Sequence, residues 1–215
     1  LDHEVVVEKK AVSLFLQGRE IKPFSIQPSG KVVIRPYQIQ TGAASLISEQ
    51  ELAKRFPKAH AYLVENKRYL SQREEGRFKG QHWYEYGRTQ NIDLMLLPKI
   101  LVPDIADHAS FALDENGDFA FTSGYGITLK QTTKQSLKFV LGLVNSQVLD
   151  FYWRQISTPL RGGFYRYFTQ FIEQLPVPNA EDTQQDVTCH VVDYLLWLHR
   201  QRDDIQAGAH RAERL

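Results

Sequence analysis

The chain has 215 residues, 26 Lys/Arg against 25 Asp/Glu, 42% hydrophobic and 24% charged residues. That is enough to bury a core, an ordinary balance for a folded protein, and no apolar run nears the roughly 18 residues of a membrane span. The one cysteine, Cys189, excludes an internal disulfide and any multi-cysteine zinc site.

The near-zero net charge conceals an uneven distribution. From Lys54 to Arg88 nine Lys/Arg stand against four acids, and from Phe151 to Ile172 there are three arginines and no acid. Such regions sustain a local positive field even when acids elsewhere cancel it; plain solvated surface charge is the alternative. The start, "LDHEVVVEKK", has neither the order of a secretion signal nor an initiator methionine, so a piece of a longer, cytoplasmic protein is expected.

In chain order, "AVSLFLQGREIKPFSIQPSGKVVIRPYQIQ" reads as short strands and turns, with Pro36 ending or edging a strand. Ser48 to Glu51, "SEQE", forms a capping box for a short helix to about Phe56, and Pro57 starts a second with Tyr62, Leu63, Asn66, Tyr69 and Leu70 on one face. The middle is β-rich: "QHWYEYGR", "LPKILVP", "SFAL", "DFAF" and "GYGITLK". "FALDENGDFAF" is predicted to be a hairpin with Gly117 left-handed, pairing 113 with 119 and 111 with 121, so that its four apolar side chains share a face. From Lys134 to about Ile156 the period becomes helical, through Leu137, Val140, Leu141, Val144, Val148, Phe151 and Tyr152. "STPLRGGFYRYF" is a broken loop, and a last helix, about 184 to 205, is expected to pack its Val191/Tyr194/Leu195/Leu198 side on the body. The predicted class is α+β: a curved, mostly antiparallel sheet from "WYEYGR" through "GITLK", flanked by helices, with a C-terminal amphipathic helix.

Catalytic patterns fail one at a time. The "GYG" at Gly124 to Gly126 is followed by β-like "ITLK" rather than the helix a phosphate loop needs. Glu8-x-Lys10 and Pro103-Asp104, pieces of a nuclease site, stand in the wrong order. Cys189, His190, Asp193 and His199 on the last helix lack a marked third partner for metal or nucleophile chemistry. What remains is aromatic and basic: Trp83, Tyr84 and Tyr86 with Arg88, and Phe164 to Tyr167 with Arg161. Arginines contact phosphates or guanine edges, and rings stack or wedge. Alternatively, Trp83, Phe164 and Tyr167 fill the core and the arginines sit on its rim.

The succession "YLVENKRYLSQRE", "WYEYGR", "LPKILVPDI", "VLGLVNSQVLDFYW", "RGGFYRYFTQFIEQLPVP" resembles the TaqI-like C-terminal specificity domain. This is the target-recognition domain of adenine-N6 DNA methyltransferases and fused type II restriction–modification enzymes. The likeness covers about Phe15 to Pro178. It implies a recognition domain over residues 1–180 with a helix, 181–215, packed on it, binding double-stranded DNA beside an N-terminal methyltransferase domain of the same protein. The adenine site of that family has adjacent prolines, and this chain has none. The resemblance therefore implies a non-catalytic fragment without cofactor, S-adenosylmethionine belonging to the missing domain, and no metal or membrane partner. Arg88, Lys99, Arg154, Arg161, Tyr165 and Arg166 are the candidate DNA-binding residues, while Trp83 and Ile100 are expected in the sheet core. Two other readings stay open: a specificity-subunit domain of a multi-subunit restriction system, and a protein-interaction domain of the same fold without DNA binding.

Overall fold

The computed structural model describes residues 4–40 and 42–212, with side chains up to residue 206. Six short strands come first: β1 (Val12–Gln17), β2 (Ile21–Lys22), β3 (Ser25–Ile26), β4 (Val32–Ile34), β5 (Tyr37–Gln40) and β6 (Ala43–Leu46). Four short helices follow, α1 (Glu49–Arg55), α2 (Pro57–Glu65), α3 (Lys67–Ser71) and α4 (Arg73–Gly76). Then come β7 (Lys99–Pro103), β8 (Ile105–Ala106), β9 (Ala112–Asp114), β10 (Phe119–Thr122) and β11 (Gly124–Ile127). The chain ends through α5 (Leu137–Val144), α6 (Gln147–Ile156), β12 (Tyr165–Arg166), α7 (Thr169–Ile172) and the long α8 (Asp182–Ala212). The fold is α+β, with antiparallel pairs β1–β4, β5–β6, β7–β9 and β7–β11 and flanking helices.

The chain divides into two units, residues 1–14 with 31–96, and residues 15–30 with 97–215. In the first, Ile47, Leu52, Leu63, Trp83 and Tyr84 form the core. Ser48 caps α1 by accepting the Glu51 N–H at 3.3 Å, as its sequence position predicts. Pro57 opens α2, where its missing N–H costs nothing. Asn66 then interrupts the helical run: its side-chain amide donates to the Tyr62 carbonyl at 2.8 Å, and Tyr69 beyond it is 75% exposed.

In the second unit β7 is buried along its whole length between β9 and β11. Alternation sends Ile100 and Val102 toward α5 and α8, in a core shared with Phe111, Leu141, Trp153, Tyr167 and Val192. Leu101 turns the other way, onto Leu16, Ile21 and Ala112. Trp153 and Tyr167 stack with centroids 4.4 Å apart and planes 10° from parallel.

Four expectations are corrected. "WYEYGR" is a succession of turns, not a strand, and the paired strands form several two- and three-stranded sheets rather than one sheet beginning there. Trp83 and Ile100 are both buried but in different cores. Residues 111–121 make no hairpin: β9 pairs with β7, Phe111 and Leu113 face one cluster, and Phe119 and Phe121 another. Gly117 is left-handed as expected, at φ 72°, but the Asp114 carboxylate closes the turn by accepting the N–H groups of Asp118 (2.9 Å) and Phe119 (3.1 Å). That redirects the chain out of the β7–β9 ladder. Finally, α8 packs through Val192 and Leu196, at 1% and 7% exposure, leaving Val191, Tyr194 and Leu198 exposed.

Candidate nucleic-acid interface

Residues 158–166 fold into a hairpin of the second unit. The Leu160 N–H donates to the Phe164 carbonyl at 2.7 Å and the Arg166 N–H to the Thr158 carbonyl at 3.2 Å. The tip is Arg161-Gly162-Gly163, with φ of 86° and 80° at the two glycines, a left-handed pair that side-chain-bearing residues adopt at a cost. The base is fixed: Tyr165 and Arg166 pair with Ala106 and Ile105, and the Ser157 hydroxyl donates to the Arg166 carbonyl at 2.5 Å.

The arginines around this hairpin differ in kind. Arg154 donates to Asp150 at 2.9 Å and to the Asp107 carbonyl at 2.8 Å, and its guanidinium lies 5.2 Å from the Tyr165 ring centre. The hydrogen bond it donates to Asp150 holds its pKa above the ordinary arginine value. Arg166 pairs with Asp104 at 3.5 Å and covers the Phe168 ring at 5.1 Å. Both are already partnered by carboxylates. Arg161 is exposed at the tip, and among the described residues no ion pair holds it. Phe164 beside it is 41% exposed.

Lys99 is elsewhere. It is 1% exposed and ion-paired with Asp114, its direct partner across β7 and β9. That burial keeps its ammonium from any surface ligand and makes it part of the framework that ends β9.

Arg88 lies in the first unit, exposed, at the end of a loop fastened from four sides. The Trp83 indole donates to Glu49 at 3.1 Å, the Tyr84 hydroxyl to the Ile47 carbonyl at 2.7 Å, and the Tyr86 hydroxyl to the Ile34 carbonyl at 2.8 Å. Arg73 donates to the carbonyls of Trp83 (3.2 Å) and Glu85 (2.8 Å). Burial pushes the Tyr86 phenol far above its usual pKa, so it remains a donor. The aromatic cluster is therefore scaffold, and Arg88 is what it presents.

The second unit thus brings Arg154, Tyr165 and Arg166 together as the hairpin base and sets Arg161 at its tip; Lys99 is buried away from that group in the same unit, and Arg88 belongs to the first unit. Sequence reasoning missed the carboxylates of Asp150 and Asp104 that pair with Arg154 and Arg166. The i,i+4 spacing of Asp150 and Arg154 was the available signal. It missed Arg73 as well, which nothing in a linear pattern separates from its basic neighbours. Among the described residues no group of three or more His, Cys, Asp or Glu could hold a metal ion, and no helix is long and apolar enough to cross a membrane.

Comparison with known families matches residues 13–177 to the TaqI-like C-terminal specificity domain. The chain belongs to that family. The TaqI-like match includes β7, α5, α6 and the whole hairpin, and it corresponds to a non-catalytic specificity region. Curated relatives include the type II methyltransferase M.BanIII of Aneurinibacillus aneurinilyticus, 28% identical over 172 residues, 74% of this chain and 30% of that protein. M.XhoI of Xanthomonas vasicola is 27% identical over 161 residues, 75% of this chain and 28% of that protein. M.PaeR7I of Pseudomonas aeruginosa is 23% identical over 167 residues, 78% and 27%. The chain spans less than a third of the length of these relatives.

Proposed function

We propose that this TaqI-like domain recognises double-stranded DNA on behalf of an adenine-N6 methyltransferase, or a restriction–modification enzyme containing one, in the cytoplasm. Catalysis and S-adenosylmethionine binding belong to an N-terminal domain of the same protein. The observation that carries the reading is the hairpin tip. A rigid base of paired arginines holds out one un-neutralised guanidinium, flanked by two bare glycines and an exposed ring. An exposed arginine on a fixed support can meet a phosphate without first breaking an internal ion pair. The two glycines leave the adjacent backbone open to close approach. In this reading Arg154, Tyr165 and Arg166 shape the hairpin, Lys99 acts through the framework, and Arg161 and Arg88 each contact the duplex.

Fluorescence anisotropy of a labelled duplex, titrated with protein at several salt concentrations, tests this. Each phosphate contact contributes about 0.9 to the slope of log K against log salt. Arg161→Ala is expected to flatten the slope by about that amount and weaken random and specific duplexes alike. A loss of roughly 1–3 kcal/mol confined to one sequence would instead assign Arg161 to a base edge. Unchanged binding on both duplexes at low and moderate salt removes Arg161 from the interface. No measurable duplex binding by the unaltered chain would favour the protein-interaction reading.

A further inference from the structure

Helix α8 carries two stripes with the alternating 4-3 spacing of helices that pack along their length. One is Gln185, Cys189, Val192, Leu196, His199 and Asp203. It is held on the second unit: Gln185 accepts the Ser136 N–H at 3.1 Å, Val192 and Leu196 enter the core, and the Phe24 and His199 rings lie 5.9 Å apart. The Ser25 hydroxyl donates to Asp203 at 2.5 Å. The other stripe is Val187, Val191, Tyr194, Leu198, Gln201 and Ile205. Its apolar members are 67%, 54%, 60%, 39% and 72% exposed, and Trp197 beside it, 52% exposed, stacks on Tyr194 with centroids 5.8 Å apart. A displacement of two residues is about 200° around an α-helix, so the stripes lie on opposite sides. The packed body does not obstruct the open stripe.

We propose that the open stripe of α8 pairs antiparallel with the same stripe of a second copy of this chain. Centred on residue 196, the pairing sets Tyr194 of one copy against Leu198 of the other and Val187 against Ile205, layers of unequal and complementary size. The opposed helix dipoles offset each other, whereas a parallel pair would align them and stack Tyr194 on Tyr194. The antiparallel order also leaves the polar flanks undisturbed: Asp204 of each copy falls beside the His190 ring of the other, and Asp193 keeps its ion pair with Lys138 of its own copy at 2.8 Å. The two Trp197 rings meet at the two-fold axis. The five apolar residues and Trp197 expose up to about 700 Å² per copy, or about 1,400 Å² for the pair, which reaches the range of a specific interface.

Sedimentation of the 215-residue chain over a range of concentrations is expected to show a monomer–dimer equilibrium, with Kd on the order of micromolar, the weak end of what interfaces of such area show. The double variant Tyr194→Glu/Leu198→Glu changes only exposed positions, so it is expected to stay monomeric with unchanged circular dichroism and melting temperature. In a Cys189→Ser background, Trp197→Cys is expected to cross-link to itself on mild oxidation. Val187→Cys is not, because the pairing separates the two copies of residue 187 by about 27 Å. A chain that remains monomeric throughout overturns the proposal, including one whose Trp197 emission shifts only when duplex DNA is added. A dimer that survives the double glutamate variant, or one in which Val187→Cys cross-links as readily as Trp197→Cys, overturns it too.

Discussion

Lys99 and Asp114 face each other directly across β7 and β9, and their side chains, each 2% exposed, form an ion pair inside the second unit. The two partners are not equivalent. Asp114 also accepts the Asp118 and Phe119 N–H groups that turn the chain out of β9, while Lys99 has the Leu97 carbonyl at 3.4 Å as a neutral contact.

Asp114→Ala is therefore expected to be the more damaging change. It deprives a buried ammonium of its carboxylate, at about 3–5 kcal/mol, and releases the turn. Lys99→Met leaves Asp114 with two backbone donors and is expected to cost about 1–3 kcal/mol. Urea unfolding of the two variants checks the order. Equal losses would show that the turn amides do not hold Asp114.

Glu49 joins α1 to the fastened loop of the first unit. The Trp83 indole N–H bonded to it, with Lys67 and His60 nearby, holds its carboxyl below the usual range. A folded-state pKa below the unfolded one means that the stabilisation is complete above the unfolded value of about 4.3 and is lost as pH falls through the folded value. Acid titration followed by Trp83 fluorescence is expected to show a transition below about pH 4.3 that Glu49→Gln shifts or flattens. Superimposable acid limbs for the two proteins would exclude Glu49 as its origin.

How much of this was legible depends on what decides each position. The caps at Ser48 and Pro57 are local chemistry and stand where the sequence places them. The helical run from Lys134 was legible in period but not in its break. Asn145 leaves the helix to bridge the Phe111 backbone, accepting its N–H at 3.0 Å and donating to its carbonyl at 2.9 Å, and Ser146 caps a fresh helix. That change of direction is why Val148, Phe151 and Tyr152 face outward rather than continuing the stripe of Leu137 and Val140. In α8 the more apolar stripe is the exposed one. The packed stripe is chosen by Gln185, His199 and Asp203, whose partners on other elements no periodicity reveals. The hairpin arginines fail in the same way. Sequence shows three positive charges, whereas the carboxylate that neutralises Arg166, Asp104, and the Asp107 carbonyl that accepts from Arg154 both arrive from the flanks of β8.

Arg154 gives a direct test of that division. Arg154→Ala removes its bonds to Asp150 and the Asp107 carbonyl and uncovers the Tyr165 ring. Asp150 keeps the Ala109 N–H at 2.7 Å and the pair is partly solvated, so the expected loss is about 1–2 kcal/mol of stability. The salt slope of duplex binding should stay where it was. Thermal melts alongside salt titrations read both, and a flattened slope with intact stability would move Arg154 from support to contact.

Gly163 separates the conformation of the tip from what approaches it. Its φ of 80° is unfavourable for any residue with a Cβ, yet a Cβ built there meets nothing within 4 Å. Gly163→Ala is therefore expected to cost about 1–2 kcal/mol of backbone strain and nothing from collision. If the duplex backbone comes close to the bare glycines, the added methyl obstructs it. Binding then weakens at every salt concentration, while the charge of Arg161 and hence the slope remain. Arg161→Ala should show the opposite pattern, a flatter slope with the stability of the chain kept. The two variants compared in one salt series, with melts in parallel, distinguish a contact made by the guanidinium from one made by the backbone. Gly163→Ala binding duplexes as the unaltered chain does, with the strain visible only in its melt, would mean that the double glycine serves the turn alone.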